Sequence, residues 1–322
     1  MKTYILNEPG DINNMILTEL PVPVPADDEV LIQVKAISIN PVDVKTRAGK
    51  ALYTTLQHLK PLILGWDISG TVIAAGKNVT GFKVNDDVFG MVNFIGHGQA
   101  YAEYVTAPAH QLALKPANIS FTAAAAATLA ALTAWQALTR QVQIKQHDQV
   151  LIHAAAGGVG HYAVQIARYL GARVTGTSSA ANKDFVLELG AETHIDYQQQ
   201  QYEKSGINFD VILETLGGEN FVRSLDVLSK NGTIINLIPD QESEPGTLAT
   251  RKSTLEIAKE RGLNALYFPV TSSGTDMQQI AILLEKGVLK SHISKVYGFD
   301  QLPESHLQIE SGKTRGKIVI EL

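Results

Sequence analysis

The feature that most constrains the fold of this chain is a glycine-rich turn between a predicted strand and a predicted helix. The short apolar run Val150–His153 enters the turn Ala154–Gly160, and apolar residues continue at helical spacing from Val159 to Leu170. Three further predicted strands alternate with helices at residues 173–177, 210–213 and 233–237. Strand–helix alternation at this spacing predicts an α/β fold with a doubly wound parallel sheet of the Rossmann type.

The composition of this turn indicates a phosphate-containing ligand. Glycines allow the backbone to approach a pyrophosphate closely, and the N-terminus of the following helix offers free N–H groups and a favourable dipole. Ala155 stands at the first position of the G-x-G-x-x-G pattern, and the other two positions are glycines. We therefore predict a dinucleotide site with turn contacts from Gly157, Gly158, Val159 and Gly160. The alternative is a turn that only packs the helix against the strand.

The end of the second predicted strand bears on which dinucleotide is preferred. An NAD site normally has an Asp or Glu there, about 20 residues into the unit, to bind the ribose 2′-hydroxyl. No acidic residue occurs between Gly171 and Lys183, and this stretch instead supplies hydroxyl groups and one cation. We predict NADPH, with Ser178, Ser179 and Lys183 as cofactor contacts. For Lys183 the alternative is a solvated lysine at the start of a helix.

The first part of the chain has a different texture. From Met1 to about Lys115, short apolar runs are separated by closely spaced glycines, which is typical of a β-barrel or sandwich. Alternating residues over 30–37 predict a half-buried strand, and further strands are predicted at 70–75 and 101–106. A last strand is predicted at Lys317–Leu322, and the pattern leaves open which domain it joins.

Length, charge and cysteine content limit the classes of function. At about 150 residues per domain, 322 residues predict roughly two domains. The formal net charge is −5, from 27 basic and 32 acidic residues, so a nucleic-acid or anionic-lipid partner is not expected, and a small-molecule substrate is. The absence of cysteine excludes a disulfide framework, a thiolate nucleophile, an iron–sulfur cluster and every zinc site with cysteine ligands.

Two segments bear on cellular location. The first residues carry Glu8 and Asp11 where a secretory signal has its apolar core, so we predict a cytoplasmic protein. The uncharged segment Pro116–Thr139 is long enough to span a bilayer, but its apolar residues are mostly alanine. A closely packed, buried helix or helix pair is therefore predicted there, and no membrane span.

Motifs spread over the whole chain resemble those of the zinc-independent quinone oxidoreductases, a family of the medium-chain dehydrogenase/reductase superfamily. These motifs are Asn40-Pro41-Val42-Asp43, Arg47-Ala48-Gly49, Gly65-Trp66-Asp67-Ile68-Ser69-Gly70, Ala102-Glu103-Tyr104, Leu132-Thr133-Ala134, Ala156-Gly157-Gly158-Val159-Gly160 and Gly316-Lys317-Ile318-Val319. The resemblance implies a GroES-like β-barrel domain that is catalytic, formed by residues 1–120 and 290–322. It also implies a Rossmann NADPH-binding domain over 121–289 and an active site in the cleft between the two.

The resemblance also implies the loss of a metal. The zinc enzymes of the superfamily have a cysteine where Asn40 stands, a His-Glu pair where Trp66-Asp67 stands, and a four-cysteine lobe near residues 91–100 that is absent here. The nine histidines show no ligand spacing of the H-E-x-x-H kind, so no metal site is predicted. His153, at the end of the first Rossmann strand, is the histidine that most needs a structural check.

A site without zinc favours an acceptor that needs no Lewis acid. Hydride addition to a quinone or an activated C=C bond gives a hydroquinone anion or an enolate, whose charge is already delocalised. By resemblance, Asn40 contacts the nicotinamide ribose or the substrate oxygen, Thr133 the nicotinamide, and Tyr197 the adenosine phosphate. Tyr53 is the candidate proton donor to the oxyanion, or only a wall of the pocket. Leu237, which ends the last predicted Rossmann strand, is a further candidate cofactor contact.

Other interpretations of the sequence stay open. An enoyl-thioester reductase needs a basic entrance for its carrier, and no cluster of Lys and Arg in the N-terminal part indicates one. A non-catalytic NADPH-binding sensor or structural protein would have the same glycine turn. A hydrolase is disfavoured because there is no G-x-S-x-G motif. A homodimer is expected if Asn264–Val270 pairs across an exposed sheet edge. Members of the family often bind the 2′-phosphate with an arginine at the position where this chain has Gly312. Lys313 or Arg315 beside it can take that role, or neither does.

Overall fold

The chain divides into two units, each built around its own sheet. The computed structural model describes residues 1–239 and 253–322. The first unit comprises Met1–Leu132 and Thr271–Leu322, and the second comprises Thr133–Val270. The strands, in chain order, are β1 (Lys2–Leu6), β2 (Met15–Glu19), β3 (Glu29–Ile39), β4 (Asp67–Ala75), β5 (Asp87–Met91), β6 (Tyr104–Pro108), β7 (Ala113–Leu114), β8 (Gln149–Ile152), β9 (Arg173–Ser178), β10 (Thr193–Asp196), β11 (Phe209–Glu214), β12 (Leu228–Asn236), β13 (Asn264–Tyr267), β14 (Ile293–Gly298) and β15 (Lys317–Glu321).

The helices connect these strands and cover the sheets. They are α1 (Pro41–Arg47), α2 (Tyr53–Leu56), α3 (Phe121–Ala126), α4 (Leu129–Arg140), α5 (Gly160–Tyr169), α6 (Lys183–Glu188), α7 (Gly218–Ser224), α8 (Thr254–Glu260), α9 (Gly274–Glu285) and α10 (Leu302–Glu310). None of the helices in the described residues is long and apolar enough to cross a membrane. The uncharged segment Pro116–Thr139 contains α3 and all of α4 except its last residue, Arg140, so the helix pair is present as predicted.

The second unit is built on a parallel sheet with the strand order β10-β9-β8-β11-β12-β13. Each neighbouring pair in it is parallel, and this order is that of a doubly wound Rossmann fold, so the predicted fold class is confirmed. Helices cover both faces of a parallel sheet, and strands in such a sheet are therefore encoded by continuous apolar runs. Its core contains Leu151 and Ile212 from the sheet and Phe221 from α7, all fully buried. One strand, β10, was absent from the sequence prediction.

The first unit is built around a mainly antiparallel sheet. Its main sheet runs β14-β15-β3-β4-β5-β7, with β6 also paired to β3, and β1 and β2 form a separate two-stranded sheet. The C-terminal strand, whose domain the sequence left open, belongs here: β15 pairs antiparallel with β3, with Ile318 opposite Ile39. The predicted half-buried strand over 30–37 is instead buried along most of both faces, because α3 packs on it. The strand predicted at 101–106 begins later, at Tyr104.

The compact units and the predicted domains have different bounds. The units change at 132/133 and 270/271, whereas the sequence placed the changes at 120/121 and 289/290. Two helices account for the difference. The alanines of α3 pack on Ala36 of β3 and Val319 of β15, and Gly274 at the start of α9 lies against the backbone of His110 and Leu112. Both helices therefore belong to the first unit, although neither carries a sequence signal for its packing partner.

Candidate functional site

The strand, turn and helix predicted around the glycine-rich motif are present in the second unit. β8 ends at Ile152, α5 begins at Gly160, and Ala154 between them has a positive φ of 47°. The turn is closed by a hydrogen bond from the N–H of Gly157 to the carbonyl of Ala154, 2.8 Å long. An added Cβ at Gly160 would lie 2.2 Å from the same carbonyl oxygen, so only glycine fits there. At the first pattern position, Ala155 donates its N–H to Thr177 of β9.

The predicted serine and lysine contacts lie together at the end of β9. Ser178 is buried, and its hydroxyl donates to the carbonyl of Ser179. Lys183 is exposed at the start of α6, immediately after the short turn that follows Ser179. Tyr197 donates its backbone N–H to the carbonyl of Ser178, and its side chain is 59% exposed. Ser178, Ser179, Lys183 and Tyr197 therefore form one cluster, although Tyr197 is separated from the other three in the sequence.

Sequence reasoning missed a histidine in this cluster. The Nε2 atom of His194, on β10, lies 2.8 Å from the Ser178 hydroxyl. Its side chain is half-buried, and this burial lowers the pKa of His194, with Asp196 opposing the shift and Lys183 adding to it. No sequence motif marks His194. Only a prediction of strand β10, which carries it, could have indicated its position, and that strand was not predicted.

His153, the histidine singled out for a check, is part of a buried hydrogen-bond network. Its Nδ1 lies 3.2 Å from the Thr177 hydroxyl and its Nε2 lies 2.9 Å from the Ser224 hydroxyl. Burial is the main cause that lowers the pKa of His153. Ser224 also donates to the fully buried Glu214, which accepts backbone N–H groups from Leu216 and Gly217. The network holds together the carboxyl ends of β8, β9 and β11, so its role is structural.

Asn40, in the first unit, lies in a buried cluster of polar and charged side chains. It precedes α1, and Asp43 in the first turn of that helix accepts its backbone N–H at 2.6 Å. The Asn40 side chain donates from Nδ2 to Asp67 Oδ2 at 2.8 Å and accepts at Oδ1 from Lys317 Nζ. Lys317 also donates to the carbonyl of Ile39 and lies 3.8 Å from Asp67 Oδ2. The orientation of the Asn40 amide is thus fixed between a cation and an anion.

Burial dominates the electrostatics of this cluster. It raises the pKa of Asp43 to about 8, with the Asn40 N–H acting in the opposite direction. Burial also raises the pKa of Asp67, which Lys317 opposes, and it lowers the pKa of Lys317, which Asp67 opposes. With Asp43 protonated at neutral pH, Lys317 and Asp67 form a charge-balanced pair. The sequence contained no signal for Lys317 as a partner of Asn40.

The remaining predicted residues occupy different settings. Tyr53 begins the short helix α2 and is half-buried, and its hydroxyl makes no hydrogen bond with any residue in 1–239 or 253–322. Thr133 is buried in α4, and Leu237 follows β12, where its N–H donates to the carbonyl of Glu214. In the described part of the chain, no group of three or more His, Asp or Glu side chains is arranged to hold a metal ion.

Family models match two separate parts of this chain. The family model of the alcohol dehydrogenase GroES-like domain matches residues 26–117, and that of the zinc-binding dehydrogenase matches residues 189–320. Quinone oxidoreductase from Coxiella burnetii has a TM-score of 0.91 and 33% identity, with 100% of this chain and 99% of that chain covered. Escherichia coli quinone oxidoreductase complexed with NADPH has a TM-score of 0.87 and 26% identity, with 100% of both chains covered.

A curated relative with a different name covers almost the whole chain as well. The 2-methylene-furan-3-one reductase of Solanum lycopersicum is 30% identical over an alignment of 331 positions, which covers 99% of this chain and 79% of that protein. The GroES-like unit, the Rossmann sheet and its glycine-rich turn define an enzyme of the medium-chain dehydrogenase/reductase superfamily. Within that superfamily the chain is an oxidoreductase and belongs to the quinone oxidoreductase family.

Proposed function

We propose that this chain is an NADPH-dependent reductase of quinones or α,β-unsaturated carbonyl compounds that works without zinc. The observation that carries the proposal is the glycine-rich turn before α5, together with the two serines and the lysine that follow at the end of the neighbouring strand β9. The relatives support the same chemistry, since one is a quinone oxidoreductase complexed with NADPH and another is a reductase of a furanone that bears a methylene group.

The side chains and backbone of the second unit fit a dinucleotide phosphate. Gly158, Val159 and Gly160 would place backbone N–H groups on the pyrophosphate at the start of α5, and Gly157, whose own N–H closes the turn, would let the backbone approach the pyrophosphate closely. Ser178, Ser179, Lys183 and Tyr197 would hold the 2′-phosphate and the adenosine ribose. Thr133 and Leu237 would contact the nicotinamide half. A buried alanine at the first glycine position leaves the turn intact, because Ala155 still donates to Thr177.

We propose that the first unit is the catalytic domain and that its residue Asn40 orients the reacting groups. Bound NADPH supplies a hydride to the acceptor. Lys317 and Asp67 engage Oδ1 and one hydrogen of Nδ2 of Asn40, so the second Nδ2 hydrogen stays available to donate to the nicotinamide ribose or the acceptor oxygen. A donor held in one orientation before the reaction stabilises developing negative charge more effectively than a mobile one.

Tyr53 is proposed to donate a proton to the oxyanion of the reduced acceptor. If it does, Tyr53→Phe is expected to lower kcat by about 100-fold with little change in the Kd of NADPH. Steady-state and fluorescence measurements give the two quantities. Tyr169→Phe, at a tyrosine 53% exposed on α5, is the control and should keep wild-type kcat. An unchanged kcat in Tyr53→Phe would make this residue only a wall of the pocket.

Lys183 is the residue on which the choice of cofactor most depends. Removal of a charged hydrogen-bond partner costs about 1.5–3 kcal/mol, so Lys183→Ala should weaken NADPH binding at least roughly tenfold and leave NADH binding unchanged. Titration of nicotinamide fluorescence measures both dissociation constants. Lys204→Ala, at another exposed lysine of the same unit, should change neither. An equal loss for the two cofactors would contradict the assignment of the 2′-phosphate site.

The reaction itself is tested by an acceptor panel. Quinones, alkenals and enoyl thioesters are each mixed with NADPH and enzyme, before and after dialysis against a metal chelator, and the loss of NADPH absorbance is followed. We expect turnover of quinones or enones that the chelator does not change. Turnover of enoyl thioesters alone would support an enoyl-thioester reductase, and tight NADPH binding without any turnover would support a sensor or structural protein. Activity lost with the chelator and restored by zinc would contradict the zinc-independent mechanism.

Assembly and location are part of the same proposal. β13 is at one end of the strand order and pairs, among the described strands, with β12. This position is compatible with a homodimer in which the strand edges of two copies pair, and the molar mass from light scattering would test it. A cytoplasmic location stays a prediction from the sequence, and cell fractionation would test it.

A further inference from the structure

His194 lies beside the proposed 2′-phosphate site. On β10 it is opposite Gly176 of β9, and Asp196 is opposite Ser178 two residues further on. Because side chains two residues apart on a strand share a face, the imidazole of His194 and the hydroxyl of Ser178 project from the same side of the sheet. The distance of 2.8 Å between Nε2 and Oγ is that of a hydrogen bond.

The charged groups that act on this imidazole come from two elements. Asp196 lies on the same strand, and Lys183 lies at the start of α6. Burial is the largest cause that lowers the pKa of His194, so the ring is mostly neutral at pH 7 in the free protein. The Nδ1 atom makes no hydrogen bond within residues 1–239 or 253–322. The ring can therefore still accept a proton there and donate it to an anion.

We propose that His194 is a specificity-determining residue that binds the 2′-phosphate of NADPH in its protonated form, so that preference for NADPH over NADH increases as the pH falls. The proposal rests on the proposed function, because it needs the 2′-phosphate to lie at Ser178 and Lys183. A phosphate next to the ring favours the imidazolium form, and by linkage the imidazolium favours the phosphate to the same extent. NADH has no 2′-phosphate, so its affinity does not respond to this proton.

The test compares the two cofactors across pH in wild type and His194→Gln. Glutamine keeps an amide that can reach the Ser178 hydroxyl but cannot titrate. Fluorescence titrations at about pH 6 and about pH 8.5 should show that the NADPH preference of the wild type is roughly tenfold greater at the lower pH. His194→Gln should match the wild type at the higher pH and lose this increase. The phosphate's own pKa, near 6, affects both proteins equally.

Proton uptake provides a second readout that needs no variant. Isothermal titration calorimetry in two buffers of different ionisation enthalpy measures the protons taken up on binding. Near pH 7 the wild type should take up more protons with NADPH than with NADH, and His194→Gln should reduce that difference. His58→Gln, at an exposed histidine of the first unit, should behave as wild type.

The outcomes separate this proposal from the proposed function. If His194→Gln keeps the pH dependence and proton uptake of the wild type, while Lys183→Ala selectively loses NADPH, the role of His194 is overturned and the NADPH assignment stands. If the wild type binds NADH as tightly as NADPH at every pH and Lys183→Ala changes neither, the NADPH assignment fails and the role of His194 fails with it.

Discussion

Lys317→Met is expected to lower the free energy of unfolding of the first unit by about 3–5 kcal/mol. The Lys317 side chain is buried, donates to the Ile39 carbonyl and to Asn40 Oδ1, and lies 3.8 Å from the carboxylate of Asp67. Methionine fills much of the same volume but leaves the fully buried Asp67 without its cation. An uncompensated buried charge is among the most destabilising changes that one substitution makes.

The sign of the pH dependence follows from Asp67. Burial already raises the pKa of Asp67, and the loss of Lys317 raises it further. A group whose pKa is higher in the folded than in the unfolded state stabilises below its unfolded pKa, near 3.9 for Asp, and this contribution is lost as the pH rises through the folded value. The decrease in the free energy of unfolding that Lys317→Met causes should therefore grow from about pH 4 towards neutral pH. Urea denaturation at several pH values measures it.

Two further variants make this test specific. Lys83→Met changes an exposed lysine of the same unit and should alter the free energy of unfolding by no more than about 0.5 kcal/mol. The double variant Lys317→Met with Asp67→Asn removes both charges and should recover part of the loss, as a double-mutant cycle shows. A deficit that does not depend on pH, or that is equal for Lys83→Met, would mean that Lys317 is not the balancing charge of Asp67.

The buried cluster shows where sequence reasoning ended. Asn40, Asp67 and Lys317 each stand in a motif that resembles the family, but a site role was predicted only for Asn40, and no pairing among the three was predicted. Lys317 is 277 residues away from its partner Asn40, and the two meet because β15 pairs with β3. Strand pairing at such a separation has no local signal, and for the same reason the sequence left the domain of the last strand open.

The Rossmann unit was more predictable, because its signals are local. β8, the turn and α5 are contiguous, and their apolar periodicity changes from strand to helix at the glycines. β10 was missed because its four residues, Thr193–Asp196, are mostly polar and too few to show a period. The contact between His194 and Ser178 depends on that strand, so the sequence could not predict it. The alanine-rich helix α3 was predicted, but not the sheet that it covers.

Gly160→Ala is expected to disrupt both the turn and the proposed cofactor site. The new Cβ would lie 2.2 Å from the carbonyl oxygen of Ala154 and 2.8 Å from the Cα of Ala155, and both are backbone atoms that no side-chain rotation can move away. Overpacking of this kind costs about 1–3 kcal/mol, so the free energy of unfolding of the second unit should fall by that amount. Because the first turn of α5 would shift, binding of NADPH and NADH should weaken together.

Gly157→Ala separates packing from cofactor binding in the same turn. Its Cβ would lie 3.1 Å from the Ala154 carbonyl oxygen, a tight contact that a shift of a few tenths of an ångström relieves, so stability should change by less than about 1 kcal/mol. The second glycine of the pattern permits the closest approach of backbone to pyrophosphate. The methyl group of an alanine there should therefore weaken the binding of both NADPH and NADH at least roughly tenfold. Gly81→Ala, where no atom lies within 4 Å of the new Cβ, should change neither quantity. If Gly157→Ala bound both cofactors as tightly as the wild type, the turn would serve only to pack α5 against β8.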